Sequence, residues 1–508
     1  MKLTYALLFI LIISGNIFAQ NFEDAWRYSQ DNPYGTARFT AMSGAFSSLG
    51  GDLSAIGLNP AGTTTFATNR MTGTFSFYNT QNNTNYFGQN TSANYTSFDD
   101  RFLGIDQIGA VWVFKSEVND WNKIALAINY NKDADYGNYF IAKGLNTAGH
   151  SVTNYFVDNA NGVALADIKL IDGFDEDYKW LGENLGFNAQ QAYLGYQAYV
   201  INAVDPNDDT NMQYTPNAVY SQVYHENTLS SSGRKSHIDF NIAGTYQHKL
   251  QLGFSLTAYS IDYAENNTIT ESGYDASSDL QYLKFRNSLR VEGSGLALKF
   301  GAIYKIAQGI KLSLAYHSPQ WLEINEYLKQ GIHTEMGNGD VFDIQPTIEN
   351  AFAPYKIITP SKVIIGASAL INKRAVISGD YTYQNMSHLH FKEKDKNADT
   401  SYFDAINASI ANDMQPVHQL SLGGELKFNQ LFLRAGTYTA TSPVKGSASL
   451  FSKYGYSFGA GYNFGMFVID AAFMQSHTEQ ARTLLGLPDQ SVINGQTNRY
   501  VIGIRYNF

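Results

Sequence analysis

The chain has no cysteine, which removes disulfides and thiolate metal sites, although an exported protein would be free to use them. Long loops must therefore be held by packing and hydrogen bonds. Any apolar run long enough to cross a bilayer as a helix is missing too. The best candidate, Ala6 to Ile13, is about eight residues against the ~20 that a spanning helix needs. Nor is positive charge in excess: 35 Lys and Arg stand against 45 Asp and Glu, for a net charge of -10 and a pI near 5.5. That balance argues against nucleic acid as a partner.

What is present at the N-terminus is Lys2, a short apolar run and a small residue, Ala19, at a cleavage-like position. Residues 1–19 read as a secretory signal peptide and are excluded from fold reasoning. The rest, 508 residues less this leader, exceeds the usual size of one soluble domain, but barrels reach it as single units.

From Arg70 to Phe508 short alternating segments are joined by connections that are tight, then long, in turn. The tight ones are Gln247-His248-Lys249, Ala307-Gln308-Gly309, Asn372-Lys373-Arg374, Asn429-Gln430 and a turn at Gly465. Loops of roughly fifteen to a hundred residues separate them, the rhythm of short periplasmic turns and long outer loops. Fourteen strands are predicted: Arg70–Tyr78, Gln107–Lys115, Lys123–Asn131, Ser236–Tyr246, Leu250–Asp262, Ser288–Ile306, Ile310–Leu322, Ser361–Leu370, Ala375–Gln384, His418–Phe428, Leu431–Tyr438, Tyr454–Phe464, Met466–Gln475 and Arg499–Phe508.

Period two is clear in several of these. Leu296, Leu298, Phe300, Ala302 and Tyr304 share one face, and Gly295, Ala297, Lys299 and Gly301 the other. A soluble sandwich alternates as well; the deciding feature is a polar face made of small and charged residues, as a filled lumen requires. A charged side chain turned to lipid at mid-depth costs up to roughly 2–4 kcal/mol, so Lys299, Glu425, Lys427 and Arg505 are expected to face inward. The excess of aromatics, 35 Tyr and 32 Phe, suits interfacial girdles. Tyr500, Ile502, Ile504, Tyr506 and Phe508 form a C-terminal apolar stripe of the kind read by barrel assembly machinery.

Before the first strand, Gln20 to Thr65 shows no strand pattern but carries Gly35-Thr36-Ala37-Arg38, Gly44-Ala45-Phe46, Gly50-Gly51-Asp52 and Asn59-Pro60-Ala61-Gly62. Backbone of this kind suits an irregular plug shielded from lipid. Here the sequence resembles the FadL/TodX family of outer-membrane transporters of hydrophobic compounds. The resemblance rests on the order of the hatch motifs up to Asn59, Pro60 and Ala61, on Gly295 to Tyr316, on Pro360 followed by Gly366, and on Arg434-Ala435-Gly436 followed by Ser442-Pro443-Val444. It implies an all-β membrane protein: a 14-stranded antiparallel barrel over residues 70–508, plugged by a hatch over 20–69, with helical outer loops. It also implies passive uptake of long-chain fatty-acid-like molecules by diffusion through a single copy in a Gram-negative outer membrane. Neither cofactor nor metal is implied. The third strand departs from the family in having no glycine between Lys123 and Asn131, against the sideways opening that a kink there would give.

The largest insertion, Lys132 to Lys235, has apolar residues at helical spacing: Trp180, Leu181, Leu185, Phe187, Leu194, Tyr196 and Tyr199. Loop self-packing and ligand capture explain it equally well. Leu280, Leu283 and Phe285 are candidates for an opposing wall, and Phe403 to Ile410 for a helical cap. A ligand carboxylate would need a cation, for which Arg286, Arg290, Lys299, Lys362 and Arg434 are candidates; the plainer reading pairs each with a lumen acid such as Asp380 or Glu425.

Two other readings compete. His388 and His390, with the Tyr-rich loops, suggest a surface receptor for haem or another aromatic ligand. Gly455-Tyr456-Ser457-Phe458-Gly459 matches a hydrolase pattern and suggests an outer-membrane lipolytic enzyme, but that motif works on a strand-to-helix elbow and here lies within strands, so no catalytic residue is assigned. Asp205, Asp208 and Asp209 suit a divalent ion only weakly.

Overall fold

A computed structural model describes residues 22–86, 94–116, 120–170, 172–395, 399–447 and 449–508. The leader lies outside them. Fourteen antiparallel strands close on themselves: β1 Arg70–Tyr86, β2 Asn94–Lys115, β3 Trp121–Asp135, β4 Val223–Tyr246, β5 Leu250–Ser272, β6 Leu280–Ala307, β7 Ile310–His317, β8 Lys362–Ile371, β9 Ala375–Asn385, β10 Pro416–Phe428, β11 Leu431–Ala440, β12 Lys453–Asn463, β13 Phe467–Thr483 and β14 Gln490–Asn507. Each pairs with the next in sequence, and β14 pairs with β1 from Arg70↔Asn507 to Tyr86↔Ser491, sealing the barrel. The inner turns suit hairpins. Gln247 and His248, like Asn372 and Lys373, take the left-handed conformation that matches strand twist.

Alternation decides which solvent each face meets. Outward positions carry Met71, Phe75 and Phe77 on β1, Ile124, Leu126 and Ile128 on β3, Ile238, Phe240 and Ile242 on β4, and Tyr500, Ile502 and Ile504 on β14, all exposed. A ring of such side chains around the whole barrel is a surface for hydrocarbon. Inward positions are polar and buried: Lys299, Glu425 and Arg505 all face the lumen, and Lys427 shares their face at the inner mouth.

Three expectations need correction. The seventh strand ends at His317 rather than Leu322, because Pro319 has no N–H to give a ladder. After it the chain turns into a new strand, Trp321–Met336, paired on the upper half of β6. Several outer connections are also shorter than expected, since β4, β5 and β6 run to 24, 23 and 28 residues; only Gly273 to Asp279 joins β5 to β6. The third correction concerns β3. Its ladder to β2 stops at Gln107↔Asn131, although both strands continue. Bulges at the same height, in β2 around Asp106 and in β3 around Asp133, interrupt the flanking ladders. A bulge re-aims a strand without glycine, so the wall is locally unlaced here.

Helices α1 (Phe22–Ser29) and α2 (Ala37–Ala41) and the 3-10 turns Ser54–Gly57 and Pro60–Thr65 fill the lumen. Above the barrel, α3 (Val152–Ala160), α4 (Leu165–Ile168), α5 (Phe174–Asn184) and α6 (Phe187–Gln197) pack with the upper ends of β5 and β6 into one apolar core. Helix α7 (Ser401–Asp413) buries Phe403 and Ile410 against Tyr355 and Phe391 in a second.

Candidate functional site

The hatch is seated in notches made by wall glycines. A Cβ on Gly301 would lie 1.9 Å from the Asn59 Oδ1 atom, and one on Gly253 would lie 2.3 Å from the Ala61 backbone nitrogen. Asn59 caps the turn Pro60–Thr65, accepting from the Ala61 N–H at 3.1 Å, and donates to the Ala302 carbonyl at 3.3 Å. The Asn-Pro-Ala motif is thus a docking foot on β5 and β6. On the opposite wall Gly423, Gly436 and Gly459 receive Met42 and Ala41 in the same way.

Polar contacts complete the seat. Arg38 of α2 joins a chain of lumen charges in which Glu425 also holds Arg434 at 2.7 Å, Arg434 holds Asp470 at 2.7 Å, and Asp470 holds Arg505 at 2.6 Å. Asp380 accepts from the Ser47 backbone N–H at 2.7 Å and its hydroxyl at 2.6 Å. Ser457 accepts from the Ser43 N–H at 3.1 Å and shares a hydrogen bond with its hydroxyl at 2.8 Å. The Gly-x-Ser-x-Gly segment is therefore a seam between wall and hatch, with its serine committed to the hatch backbone.

At the outer end of the hatch, α1 borders a cavity of about 200 Å³. Its lining mixes rings and aliphatic groups, such as Trp26, Tyr136, Phe140 and Leu229, with the cations Arg27, Lys453 and Arg482, the acids Glu23 and Asp135, and amides and hydroxyls such as Asn82 and Thr80. Trp26 meets Phe451 edge-on at 6.1 Å, and Arg27 lies over the Tyr263 ring at 4.3 Å. Burial pushes the Tyr34 phenol up to about 12, so it stays neutral. Next to this cavity Asp31 binds Lys235 at 2.9 Å and Lys362. Burial opposes its ionisation, but the two ammonium groups outweigh burial and hold the carboxyl well below its usual range. Glu23 and Asp24 go the other way, raised by burial despite Arg482 and Arg27 respectively.

The residues singled out from sequence fall in three places. Leu181, Leu194, Leu280, Leu283 and Phe285 meet in the outer apolar core, fully buried, with Tyr196 partly buried against it. Leu185 is exposed on its edge, and Phe187 packs on Phe352 at 6.1 Å. Arg286 is half-buried on β6, and Arg434 lies deep in the lumen among acids. Lys299 is held by Asp239 at 3.0 Å, and Arg290 by Glu292 and Glu349 at the surface. His388 and His390 are exposed, and among the described residues no three His, Asp or Glu are grouped as for a metal. Asp205 and Asp208 cap backbone turns, and Asp209 binds Lys169. The cavity residues themselves escaped sequence reasoning; the visible signal was Phe22 and Trp26 four residues apart on one face of α1.

A lumen-plugged barrel with a small cavity above the plug defines the class: a transmembrane barrel with an N-terminal hatch. The Pseudomonas putida toluene transporter TodX superposes with a TM-score of 0.51 at 14% identity, covering 94% of this chain and 99% of that one. A Pseudomonas aeruginosa FadL homologue superposes at 0.52 and 12% identity over the same shares. The chain therefore has the fold of the FadL/TodX transporters. No family model and no curated protein matches the sequence.

Proposed function

We propose that this protein is a passive outer-membrane transporter for small hydrophobic molecules. The observation that carries the reading is the cavity directly above the hatch, which sets aromatic rings among polar and charged groups. Its volume, about 200 Å³, is on the scale of a single aromatic ring or a short acyl segment. A toluene-like ring, such as the TodX title names, would fit whole. A long-chain fatty acid would place only part of its tail there while the hatch is seated, with Arg27, Lys453 or Arg482 near its head. Exposed Leu185 and half-buried Phe187 on the outer core are the proposed first contacts. The break between β2 and β3 beside the cavity supports a sideways exit; Lys132, bound to Asp106 at 2.9 Å and Asp135 at 2.8 Å, would be its bolt.

The test is uptake of radiolabelled toluene and oleate by cells expressing or lacking the protein. A severalfold faster entry of at least one is expected. Equal entry of both with and without it would refute the transporter reading.

A further inference from the structure

Just above the lipid-facing belt, the outer surface differs between the two sides of the barrel. On β4 to β6 the outward positions there carry charge: Arg234, Asp262, Arg290 and Glu292. On β12 to β14 and β1 they carry rings and amides instead. Tyr454 and His477 stack at 4.8 Å with planes 14° apart, and Tyr454 is 56% exposed. Beside them Asn494 and Gln496 on β14, and Gln81 and Asn83 on β1, complete a groove of about 620 Å³. Among the described residues the Gln81, Asn494 and Gln496 amides make no side-chain hydrogen bond. Among the described residues the groove holds no Lys or Arg, and the single charge among them is Glu479.

We propose that this groove binds the sugar portion of an outer-leaflet glycolipid. The inference rests on the outer-membrane placement proposed above. Height is the first reason. The groove begins at the pair Gln81↔Gln496, four residues up β1 from Phe77, which stacks on Tyr500 at 4.9 Å in the apolar belt, so a lipid with its chains against that belt extends its headgroup toward Tyr454 and His477. Chemistry is the second. A pyranose offers one face of C–H bonds, which suits a ring, and a rim of hydroxyls that each donate and accept. Amides answer both roles, as neither a carboxylate nor an ammonium does alone. Without a cation in the groove, a phosphate would find no partner, so recognition falls on neutral sugar rather than on the anionic part of the headgroup.

Native mass spectrometry of the detergent-purified protein tests this without any transport step. The probes are a rough lipopolysaccharide bearing core sugars and the corresponding lipid A without them. Retention of the core-bearing form at least about tenfold better is expected, with the preference lost in Tyr454→Ala/His477→Ala. Equal retention of the two, or a preference that survives the double substitution, would overturn the proposal. So would equal retention of an unrelated neutral polysaccharide, which would make the groove a general sugar surface. Should the double variant fail to fold, Gln496→Ala serves instead, with a severalfold loss of preference expected and an unchanged one counting against the groove. Loss of this preference with hydrophobic uptake intact would leave the transporter reading standing.

Discussion

Arg38 of the hatch and Glu425 of the wall meet in a two-pronged ion pair, Nε to Oε2 at 2.8 Å and Nη2 to Oε1 at 3.0 Å. Both side chains are nearly closed to solvent. Glu425 also serves Arg434, so removing its charge takes the carboxylate from Arg38 and leaves Arg434 with Asp470 alone. Breaking a buried pair by deleting one partner costs about 3–5 kcal/mol. Glu425→Gln is expected to unseat α2 while the barrel stays closed. The measurement is limited proteolysis: faster cleavage between residues 36 and 52 with unchanged heat-modifiable migration supports it, and equal cleavage removes Arg38 as the anchor.

Gly301 has room for hydrogen and nothing larger, because Asn59 Oδ1 occupies the place of a Cβ. Gly301→Ala is therefore expected to displace the Asn-Pro-Ala foot, at about 1–3 kcal/mol of overpacking. Leaky uptake of a small polar dye would report it. The same substitution at Gly73, where no atom lies within 4 Å, should leave leakage at the wild-type level and controls for a general effect on the strands.

The barrel was legible because its lipid-facing half obeys one simple rule, apolar out and polar in, and the rule fails where lipid ends. Asn266, Asn267 and Thr268 in the upper part of β5 are polar on both faces, so no alternation marks them and the strand extensions were missed. The break between β2 and β3 was hidden for a different reason. A bulge is a property of pairing between Asp106 and Asp133 neighbourhoods, not of residue type, so an absence of glycine in β3 carried no information. The outer apolar residues were recognised, yet their spacing could not separate self-packing Leu181 and Leu194, inside short helices, from exposed Leu185, which caps the end of α5.

Acidification should act on the hatch in two opposite steps. Asp31 has a depressed folded-state pKa, so its contribution is full above its unfolded value near 3.9 and is lost only as pH falls through the lower folded value. Glu23 and Asp24 are raised, so seating α1 is most favourable below their unfolded values of about 4 and weakens as pH rises through the raised ones. Amide exchange across residues 22–34 is expected to slow modestly as pH falls from 7 toward the ordinary carboxylate range, after correction for the intrinsic rate, and to quicken at lower pH, as Asp31 takes up its proton. In Asp31→Asn the low-pH quickening should vanish, because the latch is already open; its persistence would place the acid-sensitive contact elsewhere.

Leu229 on β4 is buried and faces the cavity above the hatch, which makes it the position for a test of size. Leu229→Trp would fill a large part of about 200 Å³ without introducing charge, at about 1–3 kcal/mol of strain that a closed barrel of fourteen strands can absorb. If molecules pass through this cavity, naphthalene uptake should fall about tenfold and toluene uptake severalfold, because the larger ring loses its room first. If they travel along the outer surface of the loops instead, both rates stay as they are. A uniform fall in both would indicate a disturbed barrel, and its check is heat-modifiable migration, which the cavity reading requires to be unchanged.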